Sequence, residues 1–116
     1  FYEREEIRDV LAYLKVIYNS NDEVSLQRII NIPRRGIGKK SLIKANEYCL
    51  REGNSLFEVL SNARQYKDIP KDSAISMEIF SAIIRNYKQY FENGKLGNVF
   101  KELLDEVGYT KYIETM

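Results

Sequence analysis

The sequence has 116 residues, a length typical of one domain that buries its own core without disulfides or metals. Its hydrophobic share of 44% and its net charge of +1 favour a folded soluble protein and exclude a disordered tail. Cys49 is the single cysteine, which rules out a disulfide framework and fits a reducing, cytoplasmic setting. No apolar run approaches the roughly 20 residues that cross a bilayer. Because the sequence begins with Phe1 and opens directly into a helical pattern, we expect it to be part of a longer protein.

Hydrophobic periodicity predicts a first helix from Glu3 to Tyr18. The residues expected on its apolar, inward face are Ile7, Val10, Leu11, Leu14 and Ile17. A turn rich in capping residues follows, and Asp22 is predicted to cap a short helix. The apolar residues of that helix are Val24, Leu26, Ile29 and Ile30. Pro33 lies just beyond it.

A second pair of helices is predicted in the middle of the chain. The first runs from Lys39 to Glu52, and Gly53 supplies its C-terminal stop. Its inward residues are Leu42, Ala45 and Cys49. Ser55 and Glu58 have the spacing of a capping box, which predicts a short helix after them.

The remaining residues predict a long helix and two shorter ones. Polar residues and Pro70 interrupt the pattern between Ala63 and Asp72, and Asp72 is predicted to cap the long helix. The apolar positions of the long helix are Ile75, Ile79, Phe80, Ile83, Ile84, Tyr87 and Phe91. Asn93-Gly94-Lys95 should end it, and Gly108 should end the next helix. That next helix carries Leu96, Val99, Phe100, Leu103, Leu104 and Val107, and a final short segment starts at Thr110.

No segment alternates apolar and polar residues as a half-buried strand does. The sequence therefore predicts an all-α fold, a compact bundle of about six to seven helices in a single domain spanning residues 1–116.

Residues suited to catalysis are scarce. The sequence has no histidine, and its carboxylates fall mostly on predicted exposed faces beside Lys or Arg, which is typical of solvated charge. Most tyrosines fall inside predicted helices, so we interpret them as packing residues and not as base-stacking platforms. These are Tyr13, Tyr48, Tyr87, Tyr90, Tyr109 and Tyr112. Met77 is interpreted as core. We predict no catalytic residue, no metal site and no cofactor site in this chain.

The segment GIGKKS at residues 36–41 superficially resembles a nucleotide phosphate loop. That motif needs Gly, four residues, then Gly-Lys-Ser/Thr, after a strand. Here Pro33 occupies the place of the first glycine, Lys40 stands where Ser or Thr should bind magnesium, and the preceding residues look helical. ATP binding at this segment is therefore not expected.

The basic turn, Pro33-Arg34-Arg35-Gly36-Ile37-Gly38-Lys39-Lys40, favours a phosphate contact instead. Gly36 and Gly38 are expected to adopt positive φ and to let the backbone approach a phosphate closely, while Ile37 anchors the turn inward. The helix that follows offers free amides at its positive end. Positive charge is concentrated here, with no acidic residue until Glu47. The simpler interpretation is a turn of two helices with ordinary solvated charges.

Phosphate contacts of this kind position a protein on DNA without reading bases. We therefore expect weak, non-specific binding to duplex DNA. The residues predicted to contact DNA are Arg34, Arg35, Gly36, Ile37, Gly38, Lys39, Lys40, Ser41 and Lys44.

Two segments carry a family resemblance. Residues 32–38 (IPRRGIG) resemble a helix-hairpin-helix element, lengthened by Arg34-Arg35. Residues 1–14 (FYEREEIRDVLAYL) and 28–38 (RIINIPRRGIG) together resemble the UvrD/PcrA/Rep family of superfamily 1 DNA helicases, in order and in spacing. Val107-Gly108-Tyr109 is similar to a family sequence near the matching place.

The resemblance implies a 2B accessory subdomain, a helical insertion within the second RecA-like motor domain of an ATP-dependent DNA helicase. It implies that the basic turn contacts duplex DNA at a junction with single strand, while Arg4, Glu6 and Asp9 belong to a structural first helix. ATP and magnesium would be bound by the parent helicase outside this chain, because the family's nucleotide motifs have no counterpart here. The implied partners are DNA, the motor domains of the same chain, and repair or replication proteins; the implied setting is the bacterial cytoplasm, at the nucleoid, with no membrane association.

Two other interpretations stay open at this stage. The chain could be a regulatory module that binds the motor domains or a protein partner, which an exposed apolar patch would favour. It could also be a helix-hairpin-helix domain of another repair enzyme, which would share the turn but not the sequence of the first helix.

Overall fold

In a computed structural model, which describes residues 4–94 and 98–115, helices are joined by short turns. The helices are α1 (Arg4–Tyr18), α2 (Glu23–Ile29), α3 (Lys39–Glu52), α4 (Leu56–Ser61), α5 (Lys71–Glu92), α6 (Asn98–Glu106) and α7 (Tyr109–Glu114). A single 3₁₀ turn, Ala63–Gln65, lies between α4 and α5. These two ranges contain no β-strand, which confirms the all-α prediction.

Local capping chemistry sets several helix ends as predicted. The Asp22 carboxylate accepts a hydrogen bond from the amide of Ser25 at the start of α2 (3.2 Å). The Ser55 hydroxyl accepts from the amide of Glu58 at the start of α4 (3.2 Å). Gly53 ends α3 in the left-handed conformation, with φ of +70°. Each of these residues satisfies backbone groups that a helix end leaves without partners.

The start of α5 differs from the prediction. Pro70 occupies the N-cap position and Asp72 lies inside the first turn, so Asp72 does not cap the helix. Proline is suited to this place because its fixed φ leads into the first helical turn. The acidic Asp72 still lies at the positive end of the helix dipole.

The core lies between α1 and α5, with α2, α4 and the C-terminal helices packed around them. Fully buried side chains include Met77, Phe80 and Ile84 of α5 and Tyr13 and Val16 of α1, and the ring centroids of Tyr13 and Phe80 are 6.5 Å apart. Met77 is therefore a core residue, as predicted. None of the described helices is long and apolar enough to cross a membrane.

The tyrosines act mainly as packing residues. Tyr13, Tyr87 and Tyr109 are buried, and Tyr48 and Tyr112 are half-buried. Tyr90 lies at the exposed rim, with its ring centroid 6.0 Å from that of Tyr87. This distribution confirms that the helical tyrosines pack against the core and its rim.

The inward face of α1 is not the one that periodicity selected. Ala12, Tyr13, Val16 and Ile17 are buried, together with Glu6 and Asp9, whereas Ile7, Leu11 and Leu14 are exposed. Of the five predicted inward residues, only Ile17 is fully buried and Val10 is half-buried. The helix carries two overlapping apolar stripes, and the one richer in leucine faces outward.

The C-terminal region agrees with the predicted order of elements. Asn93 is the C-cap residue of α5, and Gly94 follows with φ of +76°. Gly108 separates α6 from α7 with φ of +86°, and α7 begins at Tyr109 instead of Thr110. The predicted roles of Glu3, Lys95 and Leu96, and of the Val99 side chain, lie outside the described residues.

Asp9 joins distant parts of the chain. Its carboxylate accepts from Arg28 Nε of α2 at 2.8 Å and from the Tyr109 hydroxyl of α7 at 3.2 Å. The same hydroxyl also lies 3.1 Å from the backbone carbonyl of Glu6. The first and last helices are thus tied by a buried polar contact.

Candidate nucleic-acid interface

The turn between α2 and α3 is held by hydrogen bonds from its backbone amides to the side chain of Asn31. The Asn31 side-chain oxygen accepts from the amides of Arg35 (2.9 Å) and Ile37 (3.3 Å). Ile37 is buried, as expected for the anchor of the turn. Because Asn31 occupies these two amides, they are not available to a phosphate.

The two glycines of the turn differ in conformation. Gly36 has φ of +82°, in the left-handed region that favours glycine. Gly38 has φ of −79° and ψ of 176° and serves as the N-cap of α3, so the expectation of positive φ was wrong for this residue. A Cβ at Gly38 would meet no atom within 4 Å, which leaves the backbone there open to solvent.

Arg35 is directed into the protein. Its guanidinium donates to the carbonyls of Ile32 (2.8 Å) and Ile29 (3.3 Å) and to the hydroxyl of Tyr13. It also lies over the Phe80 ring, 4.3 Å from the ring centroid, a cation–π distance. Its buried Nε finds no acceptor among the described residues. Arg35 therefore holds the turn to α1 and α5 and does not present its charge to solvent.

Burial changes the acid–base properties of this pair. It raises the pKa of Tyr13 to about 12, although the neighbouring Arg35 cation acts in the opposite direction. Burial also lowers the pKa of the Arg35 guanidinium from its ordinary value, and contact with Tyr13 partly offsets this. At neutral pH the pair is a neutral phenol hydrogen-bonded to a cation.

A second polar chain ties the turn to α5. The buried Ser41 hydroxyl donates to the Ser73 hydroxyl at 2.8 Å, and Ser73 donates to the carbonyl of Gly36 at 2.9 Å. Ser41 thus lies beneath the predicted contact surface. Its hydroxyl is used to place the turn.

Three cations of the turn are directed towards solvent. Arg34, Lys39 and Lys40 are exposed, and none of them makes an ion pair in the described parts of the chain. Lys44, one turn further along α3, lies 3.7 Å from the Glu47 carboxylate. The positive surface is therefore formed by Arg34, Lys39 and Lys40, with Lys44 at its edge.

The first turn of α3 adds backbone donors to this surface. Gly38 has no side chain to cap the helix, so no side-chain hydrogen bond satisfies the first amides of α3, which have no partner within the helix. The helix dipole places partial positive charge at the same end. Amides and lysines at one helix end match the charge and the acceptors of a phosphate.

The first turn of α5, which begins with Lys71, meets the first turn of α3, and the sequence did not indicate this. The contact between Ser41 and Ser73 joins the first turns of α3 and α5, and Lys71 begins α5. The two helix starts are more than thirty residues apart in sequence, so only the tertiary contact relates them. Asp72, beside Lys71, offsets part of the added positive charge.

The turn does not fit a nucleotide. Helix α2 precedes it where a phosphate loop would have a strand, and the Ser41 hydroxyl is buried against Ser73. Within residues 4–94 and 98–115, no group of three or more His, Cys, Asp or Glu side chains is arranged to hold a metal ion. These residues therefore do not form a nucleotide phosphate loop.

The fold is all-α and carries an exposed cationic turn, and comparison with known proteins gives its family. Residues 1–95 match the model of the UvrD-like helicase C-terminal domain, and the chain belongs to this family.

Among curated proteins, the chain is similar to the ATP-dependent DNA helicases PcrA of two staphylococci. It is 36% identical over 117 aligned residues to the protein of Staphylococcus aureus, and 38% identical over 114 to that of Staphylococcus epidermidis. Each alignment covers 98% of this chain but only 16% of the relative. The chain therefore corresponds to about one sixth of these helicases.

Proposed function

We propose that this chain is a DNA-contacting accessory domain of an ATP-dependent DNA helicase, equivalent to the 2B subdomain of UvrD-type enzymes. Family membership and the naming of its relatives as DNA helicases support the parent activity. The observation that carries the DNA contact is the group of exposed cations Arg34, Lys39 and Lys40 at the uncapped start of α3. Unwinding and ATP hydrolysis belong to motor domains outside these residues, where ATP and magnesium are bound.

The proposed residues have two kinds of role. Arg34, Lys39 and Lys40, with Lys44 at the edge, hold duplex phosphates, and the exposed backbone of Gly38 allows a phosphate to approach. Arg35, Ile37 and Ser41 support the turn from the protein side, and the exposed Gly36 supplies its positive φ and the carbonyl that accepts from Ser73. The domain so held would orient duplex at a junction with single strand, in the cytoplasm at the nucleoid.

A salt titration with matched charge reversals tests the DNA contact. Labelled duplex and single strand are titrated with the 116-residue chain at several salt concentrations. If two to four phosphates are engaged, the log–log slope of affinity against salt should be roughly −2 to −4, from about 0.9 per phosphate. Lys39→Glu with Lys40→Glu should weaken binding strongly and bring the slope closer to zero by about 2.

The control variant makes the same change in net charge on other helices, away from the basic turn. Lys101→Glu with Lys111→Glu alters exposed lysines of α6 and α7. This variant should retain most of the affinity and the unchanged slope. A slope near zero for the unmodified chain, or equal losses in the two double variants, contradicts the proposal. Arg35 is left intact, because its substitution would disturb the fold.

A regulatory interaction module remains the second candidate, since α1 exposes an apolar stripe that nothing in the described chain covers. This surface lies on α1 and not on the basic turn, so the two functions are separable.

A further inference from the structure

Helix α1 exposes a line of apolar side chains. Ile7, Leu11, Leu14 and Tyr18 are 48%, 47%, 37% and 88% exposed. Their spacing of four, three and four residues places them on one face, over about 16 Å at 1.5 Å per residue. Single exposed apolar residues are ordinary, but a continuous line of four marks an interaction surface. We call these four residues the α1 stripe.

The N-terminal half of the α1 stripe borders a groove. Ile7, Val10 and Leu11 of α1 line a cavity of about 520 Å³ together with Leu104 of α6 and Ile113 of α7. The other lining residues are Glu6, Lys101, Thr110 and Glu114. The groove beside the stripe is thus lined by apolar side chains from three helices, with polar and charged residues among them.

The stripe has the geometry of a helix–helix seam. The 4-3-4 steps average about 3.7 residues, close to the 3.6 residues of one helical turn, so the four side chains stay on one face along which a second helix could pack. One edge of the stripe is basic, because Arg8 and Lys15 lie beside it on the helical wheel, and both are exposed. Neither makes an ion pair among the described residues. A helix seated here would match them with acidic residues along one flank.

We propose that the α1 stripe is the docking surface for an amphipathic helix of the same polypeptide, lying outside residues 1–116 and carrying acidic residues along one flank. This proposal rests on family membership and does not depend on the DNA contact. The relatives devote only 16% of their length to the part that matches this chain, so their remaining length offers tethered segments. A tethered helix binds at a high effective concentration without the full entropy loss of association.

A second copy of the chain fits the stripe less well. A stable dimer buries roughly 800 Å² on each partner. Four side chains that are already partly buried fall well short of that area. The same contact is sufficient for a helix that the polypeptide itself holds nearby.

Cysteine labelling in the full polypeptide, without DNA, tests the covering of the stripe. Leu11→Cys and, as a control, Ile43→Cys are treated with a maleimide, and the labelled peptides are quantified over time by mass spectrometry. In the structure described here the two positions are similarly exposed, at 47% and 56%. If a helix covers the stripe, Cys at position 11 should react at least about tenfold more slowly than Cys at position 43. Equal rates overturn the proposal.

A photo-crosslink identifies the occupant. The exposed Tyr18 is replaced by p-benzoylphenylalanine in the full polypeptide, which keeps an aromatic side chain at the end of the stripe. An intrachain adduct to a peptide outside residues 1–116 supports the proposal. Adducts found only between two chains, or only with another protein, overturn it.

Charge reversal tests the acidic flank. Arg8→Glu with Lys15→Glu, added to Leu11→Cys, should speed labelling several-fold, because like charges would face each other across the seam. Lys67→Glu with Lys71→Glu makes the same change in charge, in the segment before α5 and at its first residue, and should leave the rate unchanged. Equal effects of the two pairs contradict the acidic flank.

Discussion

Arg34 and Arg35 are adjacent and chemically identical, yet they face opposite environments. Arg34 is exposed, whereas the Arg35 guanidinium is bonded to backbone carbonyls and to Tyr13 and lies over Phe80. The sequence indicated a basic turn and its buried anchor, Ile37. It did not distinguish the two arginines, because which of them turns inward depends on the path of the chain between α2 and α3.

The ionisation of Tyr13 makes the free energy of unfolding depend on pH in the alkaline range. Burial raises its folded-state pKa from 10.0 to about 12, with Arg35 opposing and Asp9 adding to the shift. As pH rises, the phenol of Tyr13 loses its proton in the unfolded chain before it does so in the folded chain. Its stabilising contribution to folding is therefore complete below pH 10 and is lost as pH rises towards 12. A shift of two pKa units corresponds to about 2.7 kcal/mol at most. Between pH 9 and 12, urea unfolding should therefore show a smaller loss of unfolding free energy for Tyr13→Phe than for the unmodified chain.

The control for this prediction is Tyr18→Phe, which removes an exposed hydroxyl. Its stability should follow the curve of the unmodified chain. Burial also raises the pKa of Tyr87 and Tyr109, so part of the alkaline loss should persist in both variants. Identical curves for all three proteins would contradict the role given to Tyr13.

At the scale of elements, the pairing of α3 with α5 places the proposed interface. The connection is the hydrogen-bond chain from Ser41 through Ser73 to the carbonyl of Gly36. Helical periodicity predicted both helices well, and capping chemistry predicted the starts of α2 and α4. Periodicity gave no information about which helix ends meet, because the hydroxyls involved lie thirty-two residues apart.

Ser73→Ala tests this connection. It removes the donor to Gly36 and the acceptor for Ser41, each a hydrogen bond worth about 1 kcal/mol, so the free energy of unfolding should fall by about 1–2 kcal/mol. DNA affinity should also fall, because the turn loses its link to α5. Urea unfolding and duplex titration at one salt concentration measure the two effects.

Ser81→Ala is the matched control on the same helix. The Ser81 hydroxyl is buried but donates only to the carbonyl of Glu78 in its own helix. Its loss should leave DNA affinity unchanged. If the two serine variants affect DNA binding equally, the proposed connection between α5 and the turn is wrong.

Prediction of the α1 orientation failed for a related reason. The pattern Ile7, Val10, Leu11, Leu14 and Ile17 fits a helical face, but Ala12, Tyr13 and Val16 form the buried one. A periodicity argument assumes one apolar face for each helix. Here the inward face includes Asp9 and Glu6, whose polarity hid it, and Asp9 finds its partners Arg28 and Tyr109 far along the chain.

At the scale of the whole molecule, Asp9 unites α1, α2 and α7. Asp9→Ala should lower the free energy of unfolding by about 2–3 kcal/mol, because it leaves Arg28 without its carboxylate. This loss is smaller than is usual when a fully buried ion pair is broken, because the Arg28 side chain is 34% exposed. Urea unfolding followed by circular dichroism measures the loss.

Glu47→Ala breaks the exposed pair with Lys44 and provides the comparison. Surface pairs of this kind contribute about 0–1 kcal/mol, so this variant should unfold close to the unmodified chain. Equal unfolding midpoints for the Asp9 and Glu47 variants would show that the link between the first and last helices is not important for stability.

The contacts of Asn31, Arg35 and Ser73 also have a kinetic consequence. They fix the turn before any ligand arrives, so DNA would meet a surface that needs no rearrangement. Encounter would then be governed by diffusion and electrostatic attraction, and little ordering entropy would be lost on contact. If the turn binds duplex as proposed, it should therefore both capture and release the duplex quickly.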